Sequence, residues 1–430
     1  MAIVPTIFAL SSGPPPAAIA VIRLSGSLAG ETLRQLTDLE LPSPRRAVIR
    51  KIIDPRSKVT LDQALVIWLP GPDTVTGEDL VELHVHGGRA IVNAVLETLG
   101  AMSGLRPAEA GAFTRRAFDN GRLDLSQAEG LADLLAAETE SQRRNALAMS
   151  EGSLTARAAN WRRDILILAA QTEALLDFGD EDDVAPEIDT KRLNALITDV
   201  AHWADAPSVE RLRDGIRVVI AGPPNAGKST LLNVLAGRSV AITAEIAGTT
   251  RDIVEAPVAI DGVPFVLTDT AGLHDATSDE IELEGIRRAR AAMDTSDILL
   301  WLGPPEDCPD RARAILIAAR ADEHVDPSRF GGRALLVSAK TGLGMAELRT
   351  RLLDEAKRLL PVGDTIAINR RQRGLVAMVH EELTRARGTS DLLIVAEYLR
   401  LARGAIDRLV GRAGVEDMLD TLFGSMCIGK

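Results

Sequence analysis

Residues 218–230, VVIAGPPNAGKST, constrain this chain more than any other stretch. A β-branched run ends at Gly222, and Gly227-Lys228-Ser229-Thr230 opens a segment of helix formers. The spacing G-x-x-x-x-G-K-[ST] therefore falls between a strand and a helix. Glycines let the backbone curl until several N–H groups point inward at the positive end of that helix, which makes an anion site. Lys228 is suited to the β- and γ-phosphates and Ser229 to Mg²⁺, with Asn225, Ala226 and Thr230 completing the loop. The chain is expected to bind a nucleoside triphosphate on a parallel α/β sheet.

That domain cannot account for 430 residues, a length that suits about two to three domains. Aromatic residues are only 3%, so the cores must be built from Leu, Ile, Val and Ala. A net charge of −12 argues against a broad basic surface and leaves room only for a local basic patch. Cys308 and Cys427 lie far apart, and nothing suggests a secreted disulfide framework. The first residues lack a basic, then apolar, signal pattern, and no apolar run is long enough to span a bilayer. A cytoplasmic enzyme is expected.

Texture divides the chain. Residues 1–118 mix short strand-like runs (18–23, 63–69, 80–86) with Pro/Gly clusters and one helix over 89–101, an α+β domain. Residues 119–212 carry apolar residues at three- and four-residue spacing over 124–150, 153–176 and 190–212. The same helical texture returns in 361–430, at 370–387 and 390–411. Between them, 213–360 alternates strands with helices. The reading is a nucleotide domain inserted into an all-α domain that is split in sequence. The acidic run 177–183 reads as a solvated connector.

Downstream of the phosphate loop, Gly248-Thr249-Thr250-Arg251-Asp252 brings a threonine, Thr250, suited to the Mg²⁺ opposite Ser229. The strand VPFVLTD then ends in Asp269, followed by Thr270-Ala271-Gly272, whose backbone N–H faces a γ-phosphate. The set describes a GTPase with two switch loops. Leu273 has no group to orient an attacking water, so another polar residue must do so, with Asp279, Glu280, Glu282 and Glu284 as candidates by type. Guanine-reading loops usually carry N-K-x-D; here Ala319-Arg320-Ala321-Asp322 follows a strand at 314–317, so only the Asp remains to bind the base edge. Ser338-Ala339-Lys340 fits the last base-contacting loop. His84 and His86, an H-x-H on one strand face, are too few for a zinc site.

These motifs, together with TGEDLVELHVHGG (76–88), AFTRRAFDNGRLDLSQAEGLADL (112–134) and the closing Cys427-Ile428-Gly429-Lys430, resemble the MnmE (TrmE) family of tRNA-modification GTPases along the whole chain. The resemblance implies a homodimer working with an FAD-dependent partner, MnmG (GidA), on C5 of the wobble uridine of certain tRNAs. The product carries an aminomethyl or carboxymethylaminomethyl group. The one-carbon donor it implies is a tetrahydrofolate derivative (5-formyl or methylene), held in the N-terminal domain at the homodimer interface by Arg23, Glu82 and Arg122 with Lys430 nearby, which makes His84 and His86 structural or folate-proximal. Arg122 stands where the family often has Lys. The implied GTPase is activated by K⁺, enclosed by Asn225 and by backbone carbonyls of Ala244, Ile246 and Thr249 in the loop Ala244-Glu245-Ile246-Ala247-Gly248-Thr249. Glu282 matches the water-orienting position. Cys427 is either a small apolar group or a thiolate that adds to uridine C6. tRNA docking is expected at Arg-rich helical stretches, 370–373 or 400–412. The alternative is a ribosome-assembly-type GTPase switch without one-carbon chemistry.

Overall fold

The computed structural model of the chain describes residues 4–178, 188–205, 209–238, 240–241, 255–270, 287–288, 290–322, 334–360, 366–412 and 416–429. The first elements are β1 (Thr6–Leu10), β2 (Ile19–Ser25), α1 (Ala29–Thr37), β3 (Ala47–Ile53), β4 (Thr60–Leu69), β5 (Leu80–His86), α2 (Arg89–Gly100), β6 (Leu105–Pro107) and α3 (Ala112–Asp119). Helices follow: α4 (Leu125–Ala136), α5 (Glu140–Ser150), α6 (Ser153–Phe178), α7 (Thr190–Ala204) and α8 (Val209–Arg213). Then come β7 (Ile216–Ala221), α9 (Lys228–Arg238), β8 (Val240–Ala241), β9 (Glu255–Ile260), β10 (Val263–Asp269), β11 (Ile298–Trp301), β12 (Ala314–Ala319), β13 (Leu335–Val337) and α10 (Met345–Leu359). The chain ends on α11 (Arg370–Arg387), α12 (Leu392–Leu409) and α13 (Glu416–Gly424). Two compact units result: residues 1–132 with 152–159 and 406–430, and residues 133–151 with 160–405.

The first unit is built on a six-stranded sheet in the order β3-β4-β5-β2-β1-β6. Alternation decides which side is core: Ala20, Ile22 and Leu24 of β2 and Val81, Leu83 and Val85 of β5 are buried in one cluster with Leu33 and Leu36 of α1 and Val92 and Val95 of α2. Full burial of a side chain such as Ile22 contributes about 1.5–3 kcal/mol. The intervening residues Arg23, Glu82 and His84 therefore lie on the other face. Residues 427–429 dock in the same unit: Ile428 bridges to Ala110, and the Cys427 carbonyl accepts from the Gly111 N–H at 3.5 Å.

Gly429 sits at φ 93°, and a Cβ there would come within 2.3 Å of the Leu10 carbonyl oxygen. A Gly429→Ala exchange is expected to release this segment, since such backbone strain costs about 1–3 kcal/mol. Native-state hydrogen exchange at the Gly111 amide, which donates to the Cys427 carbonyl, should then speed by about 5–100-fold. Unchanged exchange there would show that the docking does not depend on the bare glycine.

In the second unit, a seven-stranded sheet runs β13-β12-β11-β7-β10-β9-β8. Five of these strands are parallel as expected, but β9 runs antiparallel to β10, and β8 to β9, so the sheet is mixed. A tight turn at Asp261-Gly262, both at positive φ, makes β9–β10 a hairpin, the connection that antiparallel neighbours allow. Val218, Val219 and Ile220 of β7 are buried, as a central strand covered on both faces must be.

The sequence pattern over 124–150 predicts one helix, and the structure makes two. The hydroxyl of Thr139 accepts from the Gln142 N–H at 3.3 Å, and Gln142 Oε1 accepts from the Thr139 N–H at 2.8 Å. This capping box satisfies the orphan donors of a new helix start and outweighs continuation. From that start α5 reaches three chain segments: Ser141 Oγ donates to Gly262 O (2.9 Å), Gln142 Nε2 to Leu212 O (2.8 Å), and Asn145 Oδ1 accepts from the Ala367 N–H (2.8 Å). It thus touches the entry to the nucleotide sheet, the exit from it, and its β9–β10 turn. Helices from before and after that sheet also meet, α7 against α11. The indole N–H of Trp161 on α6 donates to Asp199 on α7 at 2.6 Å. Among the described residues, no helix is long and apolar enough to cross a membrane.

Candidate functional site

The phosphate loop leaves β7 and enters α9 at Lys228. Asn225 stands at φ 59° and Gly227 at φ 93°, and the space where a Gly227 Cβ would project is open. Two left-handed residues so close turn successive N–H groups to one side, and the first turn of α9 leaves its own N–H groups without helical partners. Lys228 is buried, and its Nζ donates to the carbonyls of Gly222 and Pro223, both at 3.0 Å. Burial pulls its pKa below the ordinary lysine value, opposed by the Asp269 carboxylate.

Asp269 ends β10, which lies beside β7 in parallel register (Asp269↔Ile220), and this brings it to the loop. Ser229 Oγ donates to Asp269 Oδ2. Thr270 is pinned to β7, its N–H and hydroxyl both donating to Ile220 O, at 3.3 and 3.0 Å. A serine hydroxyl joined to a carboxylate is a hard-oxygen donor set of the kind Mg²⁺ takes. The concave run of N–H groups with Lys228 fits a polyphosphate.

At the base-reading end, Ser338 Oγ donates to Asp322 Oδ1 at 2.6 Å. That bond, with the charges of Lys340 and Arg320 adding to it, holds the Asp322 carboxyl below the ordinary carboxylate range. The expected strand end at 317 moves: β12 continues to Ala319, which is the partner of Val337 on β13, because a parallel neighbour extends the ladder. Arg320 then turns at φ 56°. Ala339 lies between Ser338 and Lys340 in the same turn. Ala244, Glu245, Ile246, Ala247, Gly248, Thr249, Thr250, Ala271, Gly272, Glu282 and Lys430 lie outside the described residues.

The first unit holds the other predicted group. β2 and β5 pair with Arg23 opposite Glu82. Arg23 donates to Glu82 Oε1 from Nη2 at 2.8 Å and from Nε at 3.2 Å. Burial pushes the Glu82 carboxyl up, but the bonds and charge of Arg23, then of His84, outweigh it and leave its pKa lowered. The guanidinium of Arg23 stands 6.0 Å over the ring of Phe113 on α3. Phe113 was not among the site residues read from the sequence, and His84 was read only as structural or folate-proximal, without a partner. E-L-H at 82–84 carried the signal for its partner, since a two-residue step puts Glu82 and His84 on one strand face. Arg122 is exposed and lies 3.6 Å from the Asp73 carboxylate. Cys427 is exposed. Among the described residues no cluster of three His, Cys, Asp or Glu side chains is arranged to hold a metal.

Two family models match the chain: "GTP-binding protein TrmE N-terminus" over residues 6–122 and "MnmE helical domain" over residues 125–427. Among curated relatives, the tRNA modification GTPase MnmE of Rhizorhabdus wittichii is 56% identical over 429 residues, covering 99% of this chain and 96% of the relative. The protein of that name from Erythrobacter litoralis is 54% identical over 428 residues, covering 99% and 100%. That from Zymomonas mobilis is 50% identical over 437 residues, again covering 99% and 100%.

Proposed function

Since the chain belongs to the MnmE family of tRNA modification GTPases, we propose that it is a potassium-activated cytoplasmic GTPase that modifies C5 of the wobble uridine of certain tRNAs. In this reading it acts as a homodimer with the FAD-dependent MnmG partner and adds an aminomethyl or carboxymethylaminomethyl group. The observation that carries the GTPase part is the meeting of Ser229 and Asp269 at the first turn of α9, beside Lys228. The domains we infer are 1–118 (folate-binding and dimerisation), 119–212 and 361–430 (helical), and 213–360 (GTPase).

Lys228 would exchange its two carbonyl acceptors for β- and γ-phosphate oxygens. Ser229 and Thr250 would hold Mg²⁺; Asn225 with the carbonyls of Ala244, Ile246 and Thr249 would hold K⁺; both ions supply positive charge where phosphate charge develops. Glu282 orients the attacking water, and Asp322, kept ionised by Ser338, accepts from the guanine edge. Arg23, Glu82 and Arg122, with Lys430, bind the tetrahydrofolate derivative. The partly exposed Arg23–Glu82 ion pair supports that assignment, because its carboxylate offers an acceptor to the donor edge of a flat heterocycle. The folate, when bound, would supply the one-carbon unit. The Cys427 thiolate would add to C6 of the uridine and so make C5 nucleophilic. C5 would take that carbon as one of the carbon's bonds to a folate nitrogen breaks, and loss of the C5 proton would expel the thiolate.

The test is reconstitution: this chain, its FAD-loaded flavoprotein partner, methylene-tetrahydrofolate, glycine or ammonium as the amine, GTP, Mg²⁺, K⁺ and a tRNA with unmodified uridine, read by nucleoside mass spectrometry. Modification is expected only with both GTP and the folate present, and it should be lost with Cys427→Ser. Modification that proceeds without the folate would overturn the one-carbon reading, and full activity of Cys427→Ser would remove the thiol from the mechanism.

A further inference from the structure

Glu82 is gripped from two sides. Arg23 reaches across from β2 and places both its donors on Oε1, while His84, two residues further along β5, donates from Nε2 to Oε2 at 3.2 Å. The strand registers explain the arrangement. Glu82 and His84 face Arg23 and Val21 on β2 and Ile67 and Leu65 on β4, on the side of the sheet away from the buried Val81, Leu83 and Val85. The three polar side chains keep partial access to solvent, at 21, 19 and 28% for Arg23, Glu82 and His84. His86 does something else: its Nδ1 and its backbone N–H both donate to the Asp62 carboxylate of β4, each at 2.8 Å.

We propose that His84 is a positioning residue of the N-terminal ligand site, fixing the Glu82 carboxylate so that Oε2 receives an N–H or amino donor from a reduced pterin ring. The inference rests on the folate reading given above. A carboxylate offers about four acceptor positions. Among the described residues Arg23 uses those on Oε1 and His84 one on Oε2, so what remains for a ligand is on Oε2. Anchored at Oε1 alone, the carboxylate pivots about the guanidinium and the open position sweeps an arc. Anchored at both ends it has one orientation, and a donor edge meets it without an ordering cost. Phe113 under the guanidinium keeps the other anchor in place.

The experiment is calorimetric titration of the full chain with 5-formyltetrahydrofolate, for the wild type and for Glu82→Gln, His84→Ala and His84→Gln, with thermal melts run alongside. A hydrogen bond to a charged group is lost with His84, so affinity should fall about tenfold in His84→Ala. His84→Gln carries an amide donor of similar reach and should return to within about threefold of wild type, which a merely space-filling role would not explain. Glu82→Gln should lose about a hundredfold. No binding by the wild type, or equal binding by Glu82→Gln, would overturn the folate reading and this inference with it. If Glu82→Gln loses binding while His84→Ala binds like wild type, the folate reading stands and the role of His84 is wrong. A weak His84→Ala that His84→Gln does not rescue also refutes the donor role.

Discussion

Replacement of Lys228 by methionine should slow GTP hydrolysis by about a hundred- to a thousandfold, the loss seen when one preorganised donor to a developing charge is removed. The side chain is buried at the loop, with its ammonium on the Gly222 and Pro223 carbonyls. Those acceptors are neutral, so a phosphate is the better partner and the ammonium is poised to leave them. The same residue does little for the fold. Burial disfavours its charged form, with Asp269 offsetting part of that effect. Methionine fills a similar volume without a charge to desolvate. The nucleotide-free variant should therefore melt within about 2 °C of wild type or above it. Single-turnover hydrolysis and a thermal melt on one preparation separate the two effects. Near-normal turnover would remove Lys228 from the catalytic apparatus, and a much lower melting point would make it a structural residue.

Local signals in the sequence carried far into this fold. The phosphate loop was legible because its chemistry is local: a strand, a glycine-permitted curl and a helix start follow one another within residues 216–238. β5 and α11 were read as they stand, at 80–86 and 370–387, since alternation and helical period are unbroken there. What failed to show was decided by partners distant in sequence. The break between α4 and α5 depends on a threonine cap whose helix is used to reach Gly262 and Ala367. β12 gains its last residues from pairing with β13. Arg23 and Glu82 were both singled out, yet the hydrogen bond that joins them spans 59 positions and needs the β2–β5 register. His84 could be read as structural or folate-proximal, but the H-x-H pattern says nothing of the carboxylate it serves. In the structure each histidine takes its own acceptor, Glu82 for one and Asp62 for the other.

The cation requirement should follow from Asn225. Its φ of 59° lies in the left-handed region, which asparagine tolerates and glycine adopts freely. Asn225→Gly therefore removes the side-chain oxygen without straining the loop, whereas alanine would add about 1–2 kcal/mol of backbone cost and confuse the result. Asn225 is exposed beside the first turn of α9, and Leu273 cannot orient water. No arginine is needed if a fixed monovalent cation offsets the charge that builds on the bridging oxygen. Wild-type turnover should then be about a hundredfold faster in K⁺ than in Na⁺, the scale of one oxyanion-type contact. If Asn225 and the proposed carbonyls enclose the ion, the size and field strength of such a ring of amide and carbonyl oxygens would favour K⁺ over Na⁺. Asn225→Gly should run at the Na⁺ rate in either salt while its affinity for GDP stays within about threefold, since the cation acts on charge that is largest in the transition state. Steady-state hydrolysis in the two salts, with ATP as a control for the guanine preference proposed for Asp322, makes the comparison. Equal rates in K⁺ and Na⁺ for the wild type would eliminate the cation mechanism, and a K⁺ response that survives in Asn225→Gly would move the ligand elsewhere in the loop.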